Sequence, residues 1–87
     1  MLKIDSTQIE DGTIVLQLAG QVRGPWVDEL RRVAETALET TTSICIDLRD
    51  VAFVDHDGAA LLNRLARRKV TLVNGSAFVS EALKVRA

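Results

Sequence analysis

The stretch from Phe53 to Leu65, FVDHDGAALLNRL, leaves the chain little choice: an apolar strand runs through an acidic turn straight into an amphipathic helix. Asp55, His56 and Asp57 stand at that junction. The first N–H groups of a helix lack an intrahelical partner and carry partial positive charge, so such a turn suits anions. Function is sought there first.

The flanking sequence builds around this unit. Leu2 to Ile9 alternates imperfectly, Glu10-Asp11-Gly12 reads as a turn, and Thr13 to Ala19 alternates again, which predicts a hairpin. Gly20 to Gly24 reads as a loop, and Pro25 suits the first position of a helix, where its missing N–H costs nothing. From Trp26 to Thr40, apolar Trp26, Leu30, Val33, Ala34, Ala37 and Leu38 form one stripe opposite Asp28, Arg31, Arg32, Glu35 and Glu39. Thr40 to Ser43 breaks the helix. Ile44 to Leu48 then reads as a buried strand, with a short connection through Val51 to Val54.

A second helix is expected from Asp57 or Gly58, with Ala59, Leu61, Leu62, Leu65 and Ala66 inward and Arg64, Arg67, Arg68 and Lys69 near its end. Val70 to Val73 is a short strand and Asn74-Gly75 a turn. Ser76 or Ser80 caps a last helix reaching toward Arg86. The order predicts an α/β fold: a small mixed sheet, an N-terminal hairpin followed by βαβαβα, largely parallel after the hairpin, with helices packed on it.

Size and charge narrow the function. A chain of 87 residues is one small domain. It buries only about 60–65% of the surface its unfolded form exposes, which disfavours a deep, enclosed active site. The net charge of -1 supplies no positive field toward nucleic acid or an anionic membrane. Trp26, Phe53 and Phe78 are scattered along a chain without Tyr, so no base-stacking platform is expected. The single cysteine, Cys45, cannot form an internal disulfide, which suits a reducing cytoplasm. No apolar run approaches the roughly 18 residues of a membrane span, and no basic-then-apolar leader opens the chain. Membrane insertion is not expected, and no metal or other cofactor is either, since one Cys and one His fall short of a zinc set of about four ligands.

The run Ile44-Cys45-Ile46-Asp47-Leu48-Arg49-Asp50-Val51-Ala52-Phe53-Val54-Asp55-His56-Asp57-Gly58-Ala59-Ala60-Leu61-Leu62 resembles the central block of STAS domains, named for sulfate transporters and anti-sigma factor antagonists. The hairpin before it and the strand and helix after it fall in the matching order, so residues 1–87 are expected to form a single STAS-like domain. In antagonist members, the resemblance implies, the turn reads Asp-Ser-Ser-Gly and a kinase-type anti-sigma factor phosphorylates the second Ser. Here those positions hold Asp55, His56, Asp57 and Gly58. Asp57 has no hydroxyl to accept a phosphoryl group. It carries about one negative charge against roughly -1.5 to -2 for phosphoserine, so it would imitate the modified state only in part.

Plain chemistry competes for each of these residues. Asp is among the preferred helix N-caps, and capping needs no partner, so capping outranks charge mimicry for Asp57. Asp55 is expected to brace the loop by accepting backbone N–H bonds. His56, alone on an exposed turn, reads as solvated rather than catalytic. The basic residues from Arg64 to Lys69 read as a dipole-matched helix end rather than a phosphate site, and no glycine-rich phosphate loop for a nucleotide is visible.

The expected function is thus a non-enzymatic protein-interaction module resembling an anti-sigma factor antagonist in the bacterial cytoplasm. It would bind a kinase-type anti-sigma factor or related regulator through Asp55, His56, Asp57, Gly58, Ala59 and Leu62, without the usual phosphoserine switch. The alternative, also implied by the resemblance, is an accessory subunit of an ABC-type lipid transporter that binds its ATPase. A third reading comes from Asp55-His56-Asp57-Gly58 as the Asp-x-Asp-Gly opening of a Mg²⁺-dependent phosphatase, with Asp55 as nucleophile. It is disfavoured because Glu81 is the only acidic residue after Gly58.

Overall fold

The computed structural model describes residues 1–41 and 43–84. Its elements are β1 (Leu2–Gln8), β2 (Ile14–Val22), α1 (Pro25–Thr40), β3 (Ile44–Val54), α2 (His56–Arg67), β4 (Val70–Val73) and α3 (Ala77–Lys84). They form one mixed sheet in the order β1-β2-β3-β4. The opening pair is antiparallel, and β2, β3 and β4 run parallel through helical crossovers, as the alternation of strand and helix patterns predicts. Thr42 of the expected helix break, and the expected reach of the last helix toward Arg86, lie outside the described residues.

The core is one layer between the sheet and its helices. Leu16 and Leu18 of β2 and Ile46 and Leu48 of β3 meet Leu30 and Ala34 of α1, Leu62 and Leu65 of α2, and Val79 of α3. Each of these is at most 2% exposed. Burying an aliphatic side chain of this size contributes about 1.5–3 kcal/mol, so this layer is the main source of stability.

One expectation at β3 is corrected. The connection through Val51 to Val54 does not exist, because β3 runs unbroken from Ile44 to Val54. Its pairing with β2 slips twice: Gln17 and Ala19 face Asp47 and Asp50, and Gly20 and Gln21 face Val51 and Phe53. Each slip adds one residue to β3, so the buried positions pass from Ile44, Ile46 and Leu48 to Val51 and Val54. Bulges of this kind break the two-residue period that marks a strand in sequence. Asp47 is a strand residue, as expected, and its Oδ1 accepts from the Arg49 N–H (3.0 Å) and from Asn74 Nδ2 (3.1 Å).

Other boundaries shift for similar reasons. Gly20, expected in a loop, is inside β2, with φ of 114° and a backbone so close to the Met1 carbonyl that a Cβ would collide with it. That conformation and that approach admit only glycine. In α1 the buried face is Val27, Leu30, Ala34 and Ala37, while Trp26, Val33 and Leu38 are half-buried against its edges. Ala66, expected inward, is exposed, and α2 ends at Arg67. Arg68 caps it and ion-pairs with Glu35 of α1 at 2.7 Å, in keeping with the reading of the basic cluster as a structural helix end.

Candidate functional site

The parallel strands β2 and β3 both end where a helix begins, at the carboxyl edge of the sheet, which is where open α/β sheets place binding sites. Asp55 occupies this edge. Its backbone N–H donates to the Val22 carbonyl (3.1 Å), fixing the end of β3 against the end of β2. Its side chain is fully used: Oδ1 accepts from the Gly58 N–H at 2.7 Å and Oδ2 from the Gly24 N–H at 3.0 Å. One carboxylate therefore caps α2 and holds the first residue before α1. The expected bracing role of Asp55 is what the geometry displays.

The expected N-cap role of Asp57 is corrected. The cap is Asp55, in extended conformation at φ −84° and ψ −178°, and α2 starts at His56. The reason is the length of β3: with the strand continuing to Val54, a single residue remains to reverse from strand to helix, and Asp55 is that residue. Asp57 lies in the first turn with its carboxylate exposed, where the helix dipole favours a negative charge without a direct bond. His56 beside it is also exposed.

The six residues singled out by sequence share this one helix start, but they face two ways. His56 and Asp57 face solvent, and Asp55 is half-buried between the helices. Gly58, Ala59 and Leu62, expected in direct contact with a partner, are buried against the core. A Cβ on Gly58 would land on the Val22 carbonyl oxygen and press Val22 Cγ1 (3.0 Å) and Val54 Cγ1 (3.1 Å). Gly58 is thus what lets α2 begin this close to β2. The accessible surface of the first two turns is exposed His56 and Asp57 with half-buried Ala60 and Asn63, and exposed Arg64 follows them.

Sequence reasoning missed an aromatic pair. Phe53 and Phe78 stack with ring centroids 5.8 Å apart at 26°, and the Arg23 guanidinium carbon lies 6.0 Å from the Phe53 centroid. The expectation that the aromatic residues lie apart is therefore corrected for these two, which β3 and the start of α3 bring together. Both are exposed, Phe78 by 53%. No local signal marked the pair, because it is the slipped β3 register that leaves the Phe53 ring outside the core.

Cys45, half-buried in β3, is held as a neutral thiol: burial and the neighbouring Asp47 charge both push its pKa up, the reverse of what a nucleophile needs. Among the described residues, no group of three His, Cys, Asp or Glu side chains is arranged to hold a metal, and no helix is long and apolar enough to cross a membrane.

Residues 6–85 match the family model described as "Mlab, STAS domain". The chain belongs to the STAS domain family. No curated protein matches this STAS domain in sequence. Its fold matches the solved structure of the anti-sigma factor antagonist SpoIIAA in its unphosphorylated form, with a TM-score of 0.77 at 22% identity, over 95% of this chain and 79% of that one. At this identity the match speaks for the STAS fold and for nothing finer.

Proposed function

We propose that this STAS domain is a non-enzymatic, cytoplasmic interaction module that docks a regulatory protein on the first two turns of α2, with Asp57 as a fixed negative charge at the docking point. One observation carries the reading: Asp55 spends both carboxylate oxygens on backbone N–H groups, so the turn is rigid while His56 and Asp57 stand free of it at the surface. A preordered turn loses little entropy on binding. A carboxylate in place of a hydroxyl removes the serine phosphorylation that would switch the surface, so the negative charge is constitutive. The same observation counts against the phosphatase reading, whose nucleophile would be Asp55, since both of its oxygens are tied to backbone N–H groups in a structural cap.

The favoured partner is a kinase-type anti-sigma factor or a related regulator. An ABC-transporter ATPase subunit, the other partner class that the family resemblance implies, is kept as the second reading. To test both, the purified chain is titrated with kinase-type anti-sigma factors and with ABC ATPase subunits encoded near it. A complex that Asp57→Lys weakens tenfold or more, about 1.4 kcal/mol, supports docking at α2 and names the partner class. In the antagonist case Asp57→Ser also becomes a phosphate acceptor. Binding to neither class, or binding indifferent to Asp57→Lys, overturns the proposal.

A further inference from the structure

Among the described residues, no strand pairs with the outer edge of β1. Its end pairs are Gln21 N–H to Met1 O (3.0 Å) and Ile9 N–H to Thr13 O (2.9 Å), so the odd-numbered residues of β1 point their backbone groups at β2. Antiparallel pairing alternates, and the N–H and C=O groups of Leu2, Ile4, Ser6 and Gln8 therefore point outward from the open edge. Exposed edges are templates for another strand. Beside this one lies an open groove of about 360 Å³ toward α1, with Ser6, Ile14, Val33 and Ala37 in its lining.

The geometry points to a second copy of this chain as the occupant: we propose that two chains pair antiparallel through β1 about a twofold axis at Ile4, joining both sheets into one. Charge selects the register. Even-numbered residues must face even-numbered ones for the outward backbone groups to meet, which allows axes at Lys3, Ile4, Asp5 or Ser6. An axis at Lys3 or at Asp5 sets like charges directly opposite each other, which is destabilising. An axis at Ser6 leaves Lys3 facing Ile9 and Asp5 facing Thr7. Only the axis at Ile4 sets Lys3 of each copy opposite Asp5 of the other, twice.

Lys3 and Asp5 already approach each other to 3.9 Å within one chain on the solvent face of the sheet, so pairing closes four alternating charges into a ring. On the helix face the same register sets half-buried Ile4 against Ile4 and brings Leu2 of each copy opposite Ser6 at the rim of the groove. The interface is isologous and closed, so it stops at two copies.

Sedimentation equilibrium of the whole chain over its full soluble concentration range tests this, with circular dichroism as the check on folding. The wild type is expected to dimerise. Lys3→Asp and Asp5→Lys each set like charges across the axis twice and should weaken the dimer about tenfold. The double variant Lys3→Asp with Asp5→Lys exchanges the partners and should restore it. Ile4→Pro removes an outward N–H that no intrachain bond uses, so it should yield a folded monomer. A monomeric wild type, single variants that dimerise as the wild type does, or a folded double variant that stays monomeric overturns the proposal.

Discussion

The two long helices begin at the same edge of the sheet in opposite ways. The residue before α1 is Gly24, at φ 56° and ψ −136°, with no side-chain cap and Pro25 next. The residue before α2 is Asp55, whose carboxylate caps its own helix and also reaches 31 positions back to the Gly24 N–H. One start is conformationally permissive and borrows its anchor, while the other supplies the anchor for both. The surface offered at α2 is therefore rigid because of a bond made to α1, and changes at either start should be felt at the other.

The largest break in this comparison is Gly58→Ala. Its Cβ meets the Val22 carbonyl, a backbone atom that cannot swing aside, so the variant should lose about 3 kcal/mol in urea denaturation. An unchanged midpoint would mean that α2 does not start against β2. Asp55→Ala removes the cap of α2 and the tie to Gly24, for a loss of about 2 kcal/mol. Asp55→Asn, with one acceptor oxygen left for Gly58, should lose about half as much. Amide exchange at Gly24 should rise in both variants, since that N–H loses its partner in each.

Asp57→Ala sharpens the contrast between the two carboxylates. With no bond from its side chain, only the dipole attraction is lost, about 0.5 kcal/mol, while binding of the regulatory protein should fall much further. A stability loss as large as that of Asp55→Ala would give Asp57 the structural role instead. The smallest effect is expected away from the helix starts. Bonds from the Arg49 backbone and the Asn74 side chain hold the Asp47 carboxyl below its ordinary value of 3.8. A depressed carboxyl contributes stability above its unfolded pKa and loses it as pH falls through the folded one. Asp47→Asn should therefore lower stability slightly near neutrality and converge with the wild type as pH falls below 3.8, as thermal melts across a pH series would register.

Most of the fold could be read in the chain before the structure. Pro25, the apolar stripe around Leu30 and Ala34, the turn at Asn74 and the cap at Ser76 each act within a few residues, and each element sits where that local chemistry puts it. The mixed order of the sheet followed from strands alternating with helices. What failed was parity: Val51 and Val54 look like the remnants of a connection because two bulges against β2 re-phase β3, and a bulge is a property of the pair of strands. The site was legible to the same depth. The acidic turn marked its position, and the division of labour between Asp55 and Asp57 did not show, because either residue is a good cap when taken alone.

By itself the amino-acid order determined the succession of strands and helices, the face each helix buries, and the placing of a carboxylate at the positive start of α2, since periodicity, capping preference and the helix dipole act between near neighbours. Only the tertiary structure decided which carboxylate is consumed and which stays exposed, that Phe53 meets Phe78, and that among the described residues no strand pairs with the outer side of β1. Those outcomes depend on how far β3 extends and on its register against β2, and both are set by contacts between residues distant in the chain.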